Sequence, residues 1–158
     1  MSNNTQKLQG QRILSVIPSD TIDVISPADA DTAGTATGTT ANKLVDSTKS
    51  FNYNNVKIGD VVRNDTDLTL ATVTAVDDAN TLSLSANIMA SGESYRIFKK
   101  DGSKGAVIYV GATGDVAVET VSGDQETLVG VVGGTFLPIM VSKVLVTGTT
   151  ATSILAIW

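Results

Sequence analysis

Short segments of β character, separated by Gly-, Asp- or Asn-containing turns, follow one another along this chain of 158 residues. Thr81–Ser85 alternates apolar and polar positions with the period of two that is typical of a half-buried strand. The pattern predicts strands at Arg12–Ile17, Ile22–Ile25, Leu68–Val76, Thr81–Ser85, Tyr95–Phe98, Ala106–Val110, Val116–Val121, Leu128–Val132, Phe136–Val146 and Ser153–Trp158. Since no amphipathic helix of useful length is visible, the prediction is an all-β fold.

The segment between the second and third predicted strands has a different character. Ala28 to Asn42 consists almost entirely of Ala, Asp, Thr and Gly, which predicts a linker or an irregular surface crossing. Further on, the four residues Asp77 to Asn80 join two predicted strands and indicate a hairpin. Apolar positions change parity within Leu68–Val76, which predicts a bulge or a strong twist near Leu70.

Composition excludes several function classes. Hydrophobic residues make up 42% of the chain and charged residues 17%, and the net charge is −5. The basic residues are scattered, so we expect neither nucleic acid nor an anionic membrane surface as a partner. Cys and His are absent, which removes the usual nucleophile, general base and transition-metal ligand. The polar start carries no recognisable signal peptide, so we expect a soluble protein made in a cytoplasm.

The acidic residues offer little site chemistry. A calcium site needs six to eight oxygen ligands at close spacing, and the groups of aspartates are better explained as turn caps. These aspartates are Asp20, Asp23, Asp29, Asp31, Asp65, Asp67, Asp77 and Asp78. Glycoside hydrolysis by Glu93, Glu119 or Glu126 would need an aromatic-lined cleft, and aromatic residues are only 4% of the chain. We therefore predict no enzyme, catalytic residue, metal, cofactor or small-molecule substrate.

The last predicted strand is apolar on both faces. Ile154, Ala156 and Trp158 share one face, and Leu155 and Ile157 share the other. A small sandwich normally keeps one face polar, so a subunit contact is one explanation for the second face, and coverage by another part of the chain is the other. The predicted subunit-contact residues are Ile154, Ala156, Trp158, Met140 and Leu145, with the arm Ser2–Gly10 as a further contact element.

Four short motifs resemble a known family. They are Pro18–Thr21 (PSDT), Ala106–Val118 (AVIYVGATGDVAV), Phe136–Ile139 (FLPI) and Thr147–Ala151 (TGTTA). Their order and spelling are similar to a small β-sandwich of tailed-phage virion proteins, in particular the head-spike base proteins of phages and gene-transfer-agent particles. The resemblance covers about seventy residues and implies a virion structural role.

The chain departs from that family in one place. In the family the PSDT segment leads almost directly into the YVG strand, whereas about eighty residues intervene here. We therefore predict a flexible arm at 1–10, a discontinuous host β-sandwich formed by 11–27 and 101–158, and an inserted small β-barrel-like module at 28–100. Such insertions are tolerated when both ends meet at one loop of the host.

These observations and the resemblance together lead to an expected function. We expect a capsid decoration or head-spike-base subunit that forms a homo-oligomer and binds the major capsid protein, or other virion proteins, at the outer head surface. Its location would be the virion. A tail, neck or baseplate accessory protein, and a receptor- or carbohydrate-binding module of the particle, remain as alternatives.

Overall fold

The computed structural model describes residues 12–26, 30–100 and 105–158. Within these ranges the chain forms strands and turns without a helix, so the prediction of an all-β fold is confirmed. The strands are β1 (Ile13–Ser15), β2 (Ala30–Thr35), β3 (Lys43–Val45), β4 (Val61–Asn64), β5 (Thr69–Val76), β6 (Thr81–Leu84), β7 (Ser94–Phe98), β8 (Ala106–Val110), β9 (Gly114–Thr120), β10 (Gln125–Val131), β11 (Thr135–Val144) and β12 (Ile154–Ile157).

The strands form two antiparallel six-stranded sheets. The first sheet has the order β1-β12-β8-β11-β9-β10, and the second has the order β2-β7-β4-β5-β6-β3. One of the two sheets curls into a half-barrel, consistent with a β-sandwich that carries a barrel-like module. Strands from both ends of the chain share the first sheet, whereas the second uses only strands between residues 30 and 98. The predicted domain boundaries stay a prediction, and the arm 1–10 lies outside the described residues.

The prediction of an irregular crossing over Ala28–Asn42 was wrong in part, because this stretch contains β2. This strand pairs with β7 along Thr32 to Thr35. The strand is crowded at Gly34: a Cβ there would lie 2.6 Å from a carboxylate oxygen of Asp46 and 2.7 Å from the hydroxyl of Tyr95. The strand therefore needs a glycine at this point, which weakens any pattern based on strand propensity.

Two other local predictions differ from the structure. Ile22–Ile25 is not a strand, although the Val24 amide donates to the Ser142 carbonyl at 2.7 Å. The register irregularity in β5 lies between Val73 and Ala75, where β5 pairs with β6, and not near Leu70. The pairing of β5 with β4 is regular from Thr69 to Thr72. The irregularity therefore belongs to the pairing of β5 with β6.

Three apolar clusters stabilise the fold. The first sheet surrounds one cluster, which includes Ile108, Val116 and Val141. The second sheet surrounds another, which includes Leu44 and Phe51. The third cluster joins the two sheets, and its members are Ile25, Val61 and Phe98 with Leu14, Ile22 and Leu70 packed against them. Each sheet thus has its own core, and the third cluster fixes the junction.

An arginine from the second sheet covers the open edge of the first. The hydrogen bonds between β1 and β12 use the residues on either side of Ser15, so the Ser15 carbonyl points away from β12. Arg63 Nη1 donates to this carbonyl at 2.8 Å, and Arg63 Nη2 donates to Ser15 Oγ at 2.7 Å. The Arg63 side chain is only 2% exposed. An unpaired strand edge invites association with other chains, and Arg63 occupies this one at Ser15.

Asp65 compensates the buried guanidinium charge. Arg63 Nε donates to Asp65 Oδ1 at 2.8 Å, and Arg96 donates to both oxygens of Asp65 at 2.6 and 2.7 Å. Burial alone would raise the pKa of Asp65, but the hydrogen bonds from Arg96 and Arg63 outweigh burial and hold the pKa below its ordinary value. Burial lowers the pKa of Arg63, but arginine side chains remain charged in proteins.

We predict that Arg63→Met destabilises the protein by about 3 kcal/mol, because it leaves the Ser15 carbonyl without its donor and breaks a buried ion pair. The matched control is Lys43→Met, which removes a cation from the half-exposed pair with Asp77 and should cost less than about 1 kcal/mol. Urea unfolding monitored by Trp158 fluorescence measures both free energies. Equal losses for the two variants would contradict the assigned role of Arg63.

A buried carboxylate organises the interior of the second sheet. Asp46 accepts from the Tyr95 hydroxyl at 2.7 Å, from the Thr48 amide at 2.9 Å and from the Thr48 hydroxyl at 2.6 Å. Desolvation opposes ionisation of Asp46, but these hydrogen bonds prevail and its pKa is lowered. The pKa of Tyr95 is raised by burial and by the Asp46 carboxylate, so the hydroxyl remains a donor.

The lowered pKa of Asp46 predicts a pH-dependent stability. A carboxyl whose folded pKa lies below the unfolded value of about 3.9 stabilises the protein above that value, and the contribution disappears as the pH falls through the folded pKa. Asp46→Asn should be less stable than the wild type at pH 7, and its stability should fall less steeply between about pH 5 and pH 2. Thermal unfolding across this range measures both slopes, and parallel curves would contradict the prediction.

Candidate interaction face

The first sheet presents an apolar surface on the side opposite its core. We call this surface the outer face and define it by Ile13 of β1, Val107 and Tyr109 of β8, Phe136, Pro138 and Met140 of β11, and Leu155 and Ile157 of β12. Its members are exposed or half-buried, and Phe136 is 56% exposed. The outward positions of β8 and β12 carry no charge, although the solvated side of an antiparallel sheet is normally polar.

The strand register makes the outer face continuous. Tyr109 lies between Phe136 on one side and Leu155 on the other, and Ile157 lies between Val107 and Ile13. The rings of Tyr109 and Phe136 are 5.0 Å apart between centroids and tilted by 58°, an arrangement that stabilises an aromatic pair. Contiguous apolar surface of this kind marks interaction sites more often than isolated exposed side chains do.

The predicted subunit-contact residues lie in different environments. Met140 is exposed on the outer face, and Leu145 is half-buried in the segment after β11. Ile154 and Ala156 are buried in the core of the first sheet, and Trp158 packs against the same core. Whether any of them contacts a second copy stays a prediction, and the arm Ser2–Gly10 lies outside the described residues. The strand predicted to be apolar on both faces therefore turns its other face, Leu155 and Ile157, outward.

Sequence reasoning missed most of the outer face. The sequence signal for Val107 and Tyr109 is their alternation with three other residues of β8, which are buried in the structure. The alternation predicts a strand but leaves open which parity faces solvent. Only the register with β11 and β12 brings the outward residues of the three strands together.

The four motifs that carry the family resemblance lie next to one another in space. Asp20 of PSDT accepts from the Thr147 amide at 3.1 Å and from the Thr147 hydroxyl at 2.8 Å. The hydrogen bond from the Thr147 amide is the main cause of the lowered pKa of Asp20. Thr150 and Asp115 exchange two hydrogen bonds, one at 2.9 Å between backbones and one at 2.8 Å from the Asp115 amide to the Thr150 hydroxyl.

Comparison with known proteins identifies no relative. No family model, curated protein or solved structure matches the chain. The motifs and the geometry of the surface are therefore the basis for any functional proposal.

Several carboxylates of the described residues make structural contacts. Asp65 binds two arginines and does not cap its turn; Asn64 does, accepting from the amides of Thr66 and Asp67. Glu119 pairs with Lys143, which lowers the pKa of Glu119. Within ranges 12–26, 30–100 and 105–158, no three acidic side chains gather as metal ligands would. Those same ranges hold no helix with the length and apolarity to cross a membrane. The side chains of Asp29 and Asp31 fall outside the description.

Gly114, where two of the motifs meet, should not tolerate a larger side chain. A Cβ on Gly114 would lie 2.5 Å from the Ala151 amide nitrogen and 2.6 Å from its Cα, so Gly114→Ala should cost about 3 kcal/mol through backbone displacement. The control Gly123→Ala has φ +93° but meets no atom within 4 Å and should cost about 1 kcal/mol. Chemical denaturation measures both, and a Gly114→Ala protein as stable as the control would contradict this packing.

Proposed function

We propose that the chain is a structural protein of a tailed-phage particle, a capsid decoration or head-spike-base subunit that docks on the major capsid protein through the outer face. The observation that carries the proposal is the uncharged apolar surface across β1, β12, β8 and β11. Docking needs no reacting group: burying this surface supplies the association free energy, at roughly 25 cal/mol per Å² before the costs of association.

Two features support this class of function. Most of the outer face lies on β12, β8 and β11, which pair with strands on both sides, so little backbone conformational entropy is lost on docking. Its aromatic pair, Tyr109 and Phe136, is the kind of anchor that dominates interface energetics. The convergence of the four motifs supports the family resemblance, since residues in mutual contact are expected to recur as a set.

The docking surface can be tested with charge substitutions. Phe136→Asp should reduce binding to empty capsids, assembled from the major capsid protein encoded in the same genome, by at least about a hundredfold, because a charge would enter an apolar contact. The matched control is Val129→Asp on β10, where the wild-type side chain is 80% exposed and lies outside the outer face. Co-sedimentation with capsids measures both variants.

Several outcomes would contradict the proposal. Wild-type protein that fails to bind capsids, or equal losses in the two variants, would reject docking through the outer face. Mass-spectrometric copy number in purified particles then separates the locations. Hundreds of copies support decoration or a spike base, whereas about a dozen or fewer would replace it with a tail, neck or baseplate role.

A further inference from the structure

A second exposed feature lies on the other sheet, in the connection between β3 and β4. Residues 51–58, which we call the Tyr53 turn, carry Asn52, Tyr53, Asn54 and Asn55 in sequence. The Tyr53 side chain is 90% exposed. Among the described residues, the Tyr53 ring makes no hydrogen bond or ring contact.

The turn is held in one conformation by its own backbone. The Asn54 amide donates to the Ser50 carbonyl at 3.0 Å, and the Val56 amide donates to the Phe51 carbonyl at 3.0 Å. Phe51, which directly precedes Asn52, is fully buried in the core of the second sheet. Tyr53 is therefore presented by an ordered support, which reduces the entropy lost when a ligand binds.

Three lysines lie in or beside the turn. The Lys99 ammonium donates to the Asn55 carbonyl at 2.6 Å and pairs with Asp60 at 3.2 Å. Lys57 and Lys100 are exposed beside it, and the Lys100 chain would lie 2.9 Å from a Cβ on Gly59. Asp60, which also accepts from the Lys57 and Lys100 amides, is itself buried. Among the described residues, three lysines and one aspartate thus lie at the turn, in a chain whose net charge is −5.

We propose that the Tyr53 turn binds an acidic polysaccharide. An aromatic ring offers an apolar face against which the C–H side of a sugar ring packs, with a hydroxyl at its tip. The neighbouring asparagines supply both donors and acceptors, which match sugar hydroxyl groups. Lys57 and Lys100 favour a ligand that carries carboxylates or sulfates. A single ring with three amides fits a hydroxyl-rich polymer better than single-stranded nucleic acid, which stacks successive bases on several aromatic side chains.

The site does not depend on the proposed docking function, because it uses the second sheet and shares no residue with the outer face. Loss of capsid binding in Phe136→Asp would leave polysaccharide binding intact. Substitutions in the Tyr53 turn should likewise leave capsid binding intact.

Affinity electrophoresis of the full chain through gels containing polygalacturonate, dextran sulfate or neutral dextran tests the proposal. The wild type should be retarded by at least one acidic polymer and not by neutral dextran. Tyr53→Ala should weaken the affinity by about tenfold, the effect of one stacked ring, while Tyr53→Phe should keep most of it. Because Tyr53 is exposed, none of these variants should lose the fold, which circular dichroism verifies.

Charge-matched variants complete the test. Lys57→Gln and Lys100→Gln should each weaken binding several-fold at low salt, with the difference vanishing at high salt. Lys43→Gln removes the same charge on β3, where Lys43 pairs with Asp77, and should leave binding unchanged. The proposal is overturned if the wild type ignores both acidic polymers, if Tyr53→Ala binds like the wild type, or if a single-stranded oligonucleotide binds more tightly. Self-association that Tyr53→Ala abolishes, without polymer binding, would instead assign the turn to a contact between copies.

Discussion

The arrangement of the two sheets depends on one buried guanidinium. Arg63 leaves the second sheet to bind Ser15 on the open edge of β1, and Asp65 supplies its counter-charge. A buried arginine carries a desolvation penalty of several kcal/mol, which is offset only when its donors are satisfied. Its Nε, Nη1 and Nη2 atoms each donate to an oxygen here. The apolar cluster that includes Leu14, Ile22 and Ile25 stabilises the junction without fixing an orientation. The hydrogen bonds of Arg63 depend on geometry and therefore restrict how the two sheets meet.

This junction explains why the first sheet keeps a free surface. The second sheet contacts the first at its edge, through Ser15, and the outer face remains exposed at Phe136 and Met140. The space left at the junction is about 10 Å³, room for about one water molecule, and is lined by Arg63 and Trp158 among others. The buried Nε1 of Trp158 has no hydrogen-bond partner among the described residues.

The sequence predicted the fold class and most strands of the first sheet, since alternation and glycine turns are local signals. It failed where the decisive contact is long-range. β2 escaped prediction because its sequence, ADTAGT, has no alternation of large apolar residues, and at Gly34 the close approach of Tyr95 and Asp46 leaves little room for a side chain. The predicted contact residues Ile154 and Ala156 are buried in the core of the first sheet, and their contact with a second copy stays a prediction. Periodicity separates the two faces of a strand but does not say which one faces the core. The strand register decides which residues meet on the outer face, and the pattern of a single strand does not determine its register with neighbouring strands.

β11 shows how the fold tolerates such a surface. This ten-residue strand pairs with β8 on one side and β9 on the other, and its register shifts between Leu137 and Val141, both buried. Pro138 lies within this irregularity, a position at which a strand tolerates proline. Leu137 and Val141 share the parity that faces the core, while Phe136 and Met140 have the opposite parity and are exposed. Sites where a sequence departs from the local rules of its fold are expected to be functional, and a proline and two large apolar side chains on the solvent side of a central strand are such a departure.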